Sequence, residues 1–552
     1  MPGSKTTNGE TFSSSGSRFE KHCRAFVDYW AEILTRHPYV FLVLVSLAYF
    51  LITIYRAQRK LFWFDELFTF YIARLPDLGS IWAACKSGAD FNPPLLYLLT
   101  RWSQAVFGAA ELGTRMPQIV GFWLFCLCLY RLVSVRGGVL AGFIALLFPL
   151  TTGGYWYAYE ARSYGLVLGF FGLALICWQA LAQGSAHRTL MLAGLTASLT
   201  CAALCHAYAF LLLVPLGLGE LARTILRRRF DSLAWCALLL PLAVLIAILA
   251  PLLRAIRAAH IPPALPSPGN TIWSGWDLSL APHFALAVVL LLAAQSLWVA
   301  VSSTGTRNQS ATNGSLAAHE IVALGALLGT PLFVFIATRA AGVPSFGRYS
   351  LIAMAGFACL LGAACTQARA TGLAVVLISL LFCAGAFWQF YRGSFVVEPS
   401  TRLKVATRDA GDAFSFKWLT ASAPGDEPIV LADDLEFASM FHYAPAPIRS
   451  RFVFLVPDVN GEGYSRLQSC CGAPGIVMST AAFLAAHRSF FVYGTLNRLA
   501  SQAVKFRRKG GQITIADCHK GRCLCRAVFL PAQSGVTEDP AVTNTHLTHE
   551  QL

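Results

Sequence analysis

Long apolar runs broken by short polar stretches fill the chain from residue 39 to residue 391. A bilayer core about 30 Å thick takes roughly 20 apolar residues of helix. On that measure the pattern predicts eleven spans, at 39–56, 118–134, 138–152, 162–183, 188–205, 207–226, 233–253, 281–302, 319–338, 349–366 and 371–391. An odd number of crossings puts the two termini on opposite sides of the membrane.

One long interruption, 57–117, has an order of its own. Asn92-Pro93-Pro94 predicts a helix start, with Asn92 as cap and Pro93 at the first helical position. Leu95, Leu96, Leu99, Trp102 and Val106 then recur at helical spacing until Gly108. A second amphipathic stretch runs between Asp65 and Lys86. Such helices lie along a membrane surface with the apolar side down, so this loop reads as an interfacial lid.

Beyond residue 392 the pattern turns to mixed polar sequence. Strands are predicted at 428–432, 451–456, 489–493, 512–516 and 526–530, with helices from Asp433-Asp434 to about Tyr443 and over about 495–508. Alternating strand and helix predicts a small α/β domain over 393–533. A loose tail, 534–552, follows it. At the other end, residues 1–38 form an N-terminal tail, and the Ser-, Thr- and Gly-rich residues 1–18 are expected to be disordered. No cleaved signal peptide is expected.

Composition agrees with lipid as the solvent. The 552 residues are 56% hydrophobic and 13% charged, with mean hydropathy +0.56, against about 25% charged in average globular chains. The net charge of +15 is scattered between apolar runs, which fits membrane lipids as partners and not nucleic acid. Arg131, Arg136, Arg188, Arg227–Arg229, Arg307 and Arg369 fall in short loops on the side of the N-terminus, so that side is expected to be cytoplasmic. Arg56, Arg59 and Lys60 vote the other way, but they flank a long loop, where the rule is weaker. The 57–117 loop and the C-terminal domain are then extracytoplasmic, and one or two disulfides are expected among Cys470, Cys471, Cys518, Cys523 and Cys525.

Candidate chemistry gathers on the outer side. Asp65-Glu66 follows the first span, inside the aromatic run Phe62-Trp63-Phe64. Charges that close to a bilayer are costly unless solvated, paired or used. Tyr159-Glu160-Ala161-Arg162-Ser163-Tyr164 and Phe346-Gly347-Arg348-Tyr349 mark the outer ends of two further spans, and His206 with Tyr208 marks a third. Arg162 and Arg348 are each able to make two parallel hydrogen bonds to phosphate oxygens, or to snorkel to lipid headgroups. Tyr159 and Tyr349 serve equally as interfacial aromatics.

Taken in this order with Asn92-Pro93-Pro94-Leu95, these features over 39–392 resemble the GT-C superfamily of polytopic glycosyltransferases. The likeness is to bacterial inner-membrane members of the protein mannosyltransferase and aminoarabinose-transferase type. The resemblance implies a polyprenyl-phosphate-linked sugar donor, an extracytoplasmic lipid, glycan or protein acceptor, inverting transfer, and Asp65 as the catalytic carboxylate. Arg162, Arg348 and Tyr349 are expected as donor-phosphate contacts, with Tyr159, Glu160, His206 and Asn92 as further substrate contacts. Many relatives carry Lys where this chain has Asn92, so either the phosphate contact comes from elsewhere or the donor is held differently. Glu66 has three readings: orienting the acceptor, pairing with an Arg, or holding a divalent metal with Asp65.

Two other classes share the broad pattern. A transporter or lipid-linked-sugar flippase should show mid-span charges and paired halves with broken helices. Here the charges collect at span ends, and no internal repeat is visible. A membrane-anchored binding protein working through its C-terminal domain would leave Asp65-Glu66 inert.

Overall fold

The computed structural model describes residues 10–87, 90, 92–258, 268–280, 317–341, 346–367, 384–385, 387, 414–456, 476–519 and 521–529. The chain divides into two compact units: Met1–Ala57 with Asn92–Glu398, and Gln58–Phe91 with Pro399–Leu552.

The first unit is helical. Six helices are long and apolar enough to cross a membrane: Pro38–Arg59, Glu111–Thr151, Tyr164–Ala182, Arg188–Cys205, Ala207–Arg227 and Ser232–Leu252. Ala318–Leu328 and Thr330–Ala341, bent by 58°, add a seventh if they form one span. The protein is therefore a multi-pass membrane protein. Among the described residues the count is six or seven, against the eleven expected. The expected 118–134 and 138–152 spans lie in one helical run, broken where Gly138 takes a φ of 81°. The expected 281–302 span lies outside the described residues, as does nearly all of 371–391.

Small residues let these helices approach closely, the usual means of association where no hydrophobic force acts between them. A Cβ on Gly165 would meet Gln118 O at 2.4 Å, and one on Gly169 would meet Gly121 O at 2.5 Å. This contact fixes the start of the Tyr164 helix against the Glu111–Leu147 helix. The Gly347 Cβ position lies 2.7 Å from the Ser274 carbonyl carbon, which presses the turn before Arg348 onto the Pro268–Leu280 helix.

Two expectations need correction. The N-terminal segment is helical from Glu10 to Arg36, where disorder was expected to residue 18. Cys23, Val27 and Ala31, at i, i+4 and i+8, form a buried stripe on this helix. The lid helix runs Leu95–Phe107 with Pro94 at its cap, so Asn92 does not cap it. Instead Asn92 Oδ1 accepts a long 3.4 Å bond from Ser163 Oγ. Gly108 does end the helix, with a φ of 88°. Trp102 and Val106 stay exposed, while Leu96, Tyr97 and Thr100 face the protein.

The second unit is an α/β fold. Its six strands are β1 (Ile429–Leu431), β2 (Phe452–Val456), β3 (Ile476–Ser479), β4 (Ser489–Gly494), β5 (Gly511–His519) and β6 (Arg522–Phe529). Their order is β3-β2-β1-β4-β6-β5. The first four are parallel, and β6 runs antiparallel to β4 and β5. Alternation along each strand sends Val430, Val453 and Val492 to one face, where they meet Phe483 and the Leu496–Arg507 helix. Phe454 points to the other face and meets Phe437 of the Asp434–Tyr443 helix. The same unit holds the Phe64–Ala73 helix, which carries Asp65 and Glu66, and the Leu78–Lys86 helix, capped by Asp77 accepting from Ser80 N–H at 2.8 Å. Cys518 and Cys523 form a disulfide across the β5–β6 hairpin, whereas Cys525 is a buried thiol. Cys470 and Cys471 lie outside the described residues.

Candidate active site

In the first unit, two of the three expected phosphate contacts, Arg348 and Tyr349, line an aromatic cleft, and Arg162 is not among its lining residues. Its walls include Tyr164, His206, Tyr208, Arg348 and Tyr349. The helix of Arg188–Cys205 stops at His206, whose Nδ1 accepts from Tyr208 N–H at 3.1 Å. That cap fixes the ring between Tyr164 at 5.4 Å, Tyr208 at 5.5 Å and Tyr349 at 5.6 Å. Tyr349 stacks on Tyr208 with ring centres 3.9 Å apart. Half-buried Arg348 lies over the Phe346 ring at 4.5 Å and beside Tyr349 at 6.0 Å. Aromatic faces favour a cation held against them, so this guanidinium is held by its surroundings as well as tethered. Arg162 and Arg348 both lie within electrostatic reach of the Tyr164 hydroxyl.

A second cluster in the same unit supports the Arg162 segment. Buried Arg56 lies under Tyr155 at 5.4 Å and Tyr159 at 6.0 Å. Thr53 Oγ1 and the Tyr155 hydroxyl share a 2.8 Å bond. Fully buried Arg115 donates to Ala57 O at 2.6 Å, joining the end of the first span to the next. Burial pushes the Tyr159 phenol well above its ordinary range, and the Arg56 charge opposes that shift. Glu160 is buried, and its carbonyl accepts from Arg162 N–H at 2.7 Å. Asn92 is buried against Ser163, the residue after Arg162.

Asp65 and Glu66 belong to the other unit, where their environments differ sharply. Asp65 is half-buried in the first turn of its helix, at the positive end of the helix dipole. Glu66 is fully buried and pairs with the equally buried Lys60 at 3.2 Å. Its other role is local: Oε2 accepts from Trp63 N–H at 3.4 Å. Of the readings open for Glu66, ion pairing is the one with visible geometry, with Lys60 as a cation beside it. A divalent ion at Glu66 would have to sit beside that ammonium, so the pair does not fit a metal, and no group of three or more His, Cys, Asp or Glu able to hold one occurs among the described residues.

This geometry carries a prediction about stability. Removing one charge of a buried pair costs about 3–5 kcal/mol. Glu66→Gln, which takes the anion from beside Lys60, should therefore lower the melting temperature in detergent clearly more than Asp65→Asn. Equal melting temperatures for the two variants would mean that the pair contributes little.

No family model matches this chain, and no curated protein matches it in sequence. Its fold, however, matches the crystal structure of ArnT from Cupriavidus metallidurans bound to undecaprenyl phosphate, with a TM-score of 0.50 at 14% identity over 88% of this chain and 97% of that one. The apo crystal structure of ArnT aligns at TM-score 0.41 and 12% identity, over 88% and 97% of the two chains, too distant to add to the comparison. The likeness at this identity is one of fold, over nearly the whole of both chains.

Proposed function

We propose that this chain is an integral-membrane glycosyltransferase that moves a sugar from a polyprenyl-phosphate donor to an extracytoplasmic lipid, glycan or protein acceptor. The observation that carries this reading is the Arg348–Tyr349–His206–Tyr208–Tyr164 cleft, set in a fold shared with a protein crystallised on undecaprenyl phosphate. In the proposed transfer, Asp65 takes the proton of the acceptor hydroxyl. The acceptor oxygen bonds to the anomeric carbon while the bond from that carbon to the donor phosphate oxygen breaks. Polyprenyl phosphate leaves with the electron pair, and this single displacement inverts the anomeric centre. Arg348 and Arg162 meet the phosphate charge, which grows on the bridging oxygen as the bond breaks. Tyr349 and His206 frame Arg348, and Asn92, Tyr159 and Glu160 hold the segment that carries Arg162. No step runs through a metal.

Mass spectrometry of envelope glycolipids and glycans from cells with and without the gene tests this reading. A sugar-bearing species that disappears with the gene is the expected result. Unchanged envelope glycans together with altered distribution of a lipid-linked sugar across the membrane would favour a flippase instead. Sidedness has its own test. A disulfide at Cys518–Cys523 suits an oxidising compartment, so a reporter fused after residue 400 should be active outside and one fused after Arg229 inside. Activity of the residue-400 fusion in the cytoplasm would contradict the outer placement of Asp65.

A further inference from the structure

The segment that carries Asp65 is tied down by the α/β domain in whose unit it lies. Its backbone enters through Leu61, Phe62 and Trp63, all buried. These residues are outside any helix or strand, so their N–H groups need partners from elsewhere. Phe62 N–H donates to the Tyr443 hydroxyl at 2.7 Å, across 381 residues of sequence. Tyr443 is the last residue of the Asp434–Tyr443 helix. Its ring stacks on Phe414 at 5.9 Å, which limits where the hydroxyl can move. The residue before it, His442, reaches the far end of the Asp65 helix: its Nδ1 shares a 2.9 Å hydrogen bond with the Tyr71 hydroxyl. The His442 ring also meets Phe62 at 5.8 Å and Phe70 at 5.3 Å, each edge to face. Burial pushes the Tyr71 phenol up to about 12, so at neutral pH it keeps its proton for this bond.

Together with the Lys60–Glu66 pair, these contacts hold the chain at residues 60, 62, 66 and 71, on both sides of Asp65. A general base works only when its carboxylate is held within hydrogen-bond reach of the proton that it takes. Misplacement by about 1 Å can cost roughly 10²-fold in rate. We propose that His442 and Tyr443 are positioning residues for Asp65, and that the α/β domain acts in catalysis by holding the Asp65 helix through them. This inference rests on the reading of Asp65 as the base.

The test uses the full-length protein in nanodiscs, with undecaprenyl-phosphate-linked sugars extracted from the source membranes as donor and host envelope lipids as acceptor. Release of undecaprenyl phosphate is followed by mass spectrometry. Tyr443→Phe removes the acceptor of the Phe62 N–H. His442→Ala removes the partner of Tyr71, whereas His442→Asn keeps a polar atom near the place of Nδ1. Tyr443→Phe and His442→Ala should each lower kcat about 10- to 30-fold, with donor KM unchanged within about twofold, a split that marks a lost transition-state contact. His442→Asn should recover much of the loss. Hydrogen exchange of the 61–67 peptide should quicken in Tyr443→Phe, and its melting temperature should stay near the parent's.

Parental kcat in both Tyr443→Phe and His442→Ala would overturn the proposal. So would equal loss in His442→Asn and His442→Ala, or a fall in kcat that tracks a fall in melting temperature. Asp65→Asn, run in parallel, separates the two claims. If it transfers like the parent, the base assignment has failed; if it is inactive while the His442 and Tyr443 variants are normal, only the positioning idea has failed.

Discussion

Asp65→Asn should reduce single-turnover sugar transfer by roughly 10²–10⁴-fold, the range that a general base contributes. The substitution keeps the size and shape of the side chain and removes only its capacity to take a proton. Because Asp65 is half-buried, whereas the carboxylate fully buried beside Lys60 is that of Glu66, the variant should insert and fold like the parent. Donor binding should also persist, since the proposed phosphate contacts are arginines elsewhere in the sequence. Rate loss with retained binding is the signature of an interaction made only in the transition state. A parallel loss of donor affinity would instead assign Asp65 to ground-state binding.

Arg348→Ala should have the second largest effect, and it should appear chiefly in donor affinity. A hydrogen bond to a charged group contributes about 1.5–3 kcal/mol, so the loss should be on the order of 10- to 150-fold in Kd for undecaprenyl phosphate. Arg348→Lys should already be damaging, because an ammonium cannot reproduce two parallel bonds and loses stacking on Phe346 and Tyr349. Arg162→Ala should lower both affinity and turnover. Asn92 adjoins the Arg162 segment through Ser163, so Asn92→Lys in the Arg348→Ala background should restore part of the binding if position 92 faces the same phosphate. Binding is measured with undecaprenyl phosphate in nanodiscs. If Arg348→Ala and Arg162→Ala both bind it like the parent, the two arginines are interfacial anchors and the phosphate clamp is wrong.

What the sequence made legible follows from the range of each interaction. Apolar runs were readable because one run is one helix: five spans expected between 162 and 338 have counterparts within a few residues, while 281–302 lies outside the described residues. In the α/β domain, β1, β2, β4, β5 and β6 were visible as short β-branched and aromatic runs. Edge strand β3 (Ile476–Ser479) was missed: only Ile476 and Val477 are β-branched, and Ser479 already caps the next helix. Arg348, Tyr349 and His206 could be named from local motifs, and the fold brings them together with Tyr164 and Tyr208. The partners of the Asp65 helix gave no such signal. His442 and Tyr443 lie more than 350 residues further along the chain, and Lys60 is six positions before Glu66, a separation that no helix brings face to face. Asn92 was misplaced as a cap because its residue type suits that position; tertiary contact with Ser163 won over local propensity.

The central claim is that this protein breaks the bond between a sugar and a polyprenyl phosphate using Asp65. The most direct measurement is release of undecaprenyl phosphate from undecaprenyl-phosphate-linked sugars by the purified protein in nanodiscs, with envelope acceptors present. Acceptor-dependent release by the parent and at least 10²-fold slower release by Asp65→Asn are expected. Equal release by parent and variant, or no release by the parent from any donor in the extract, would contradict the claim.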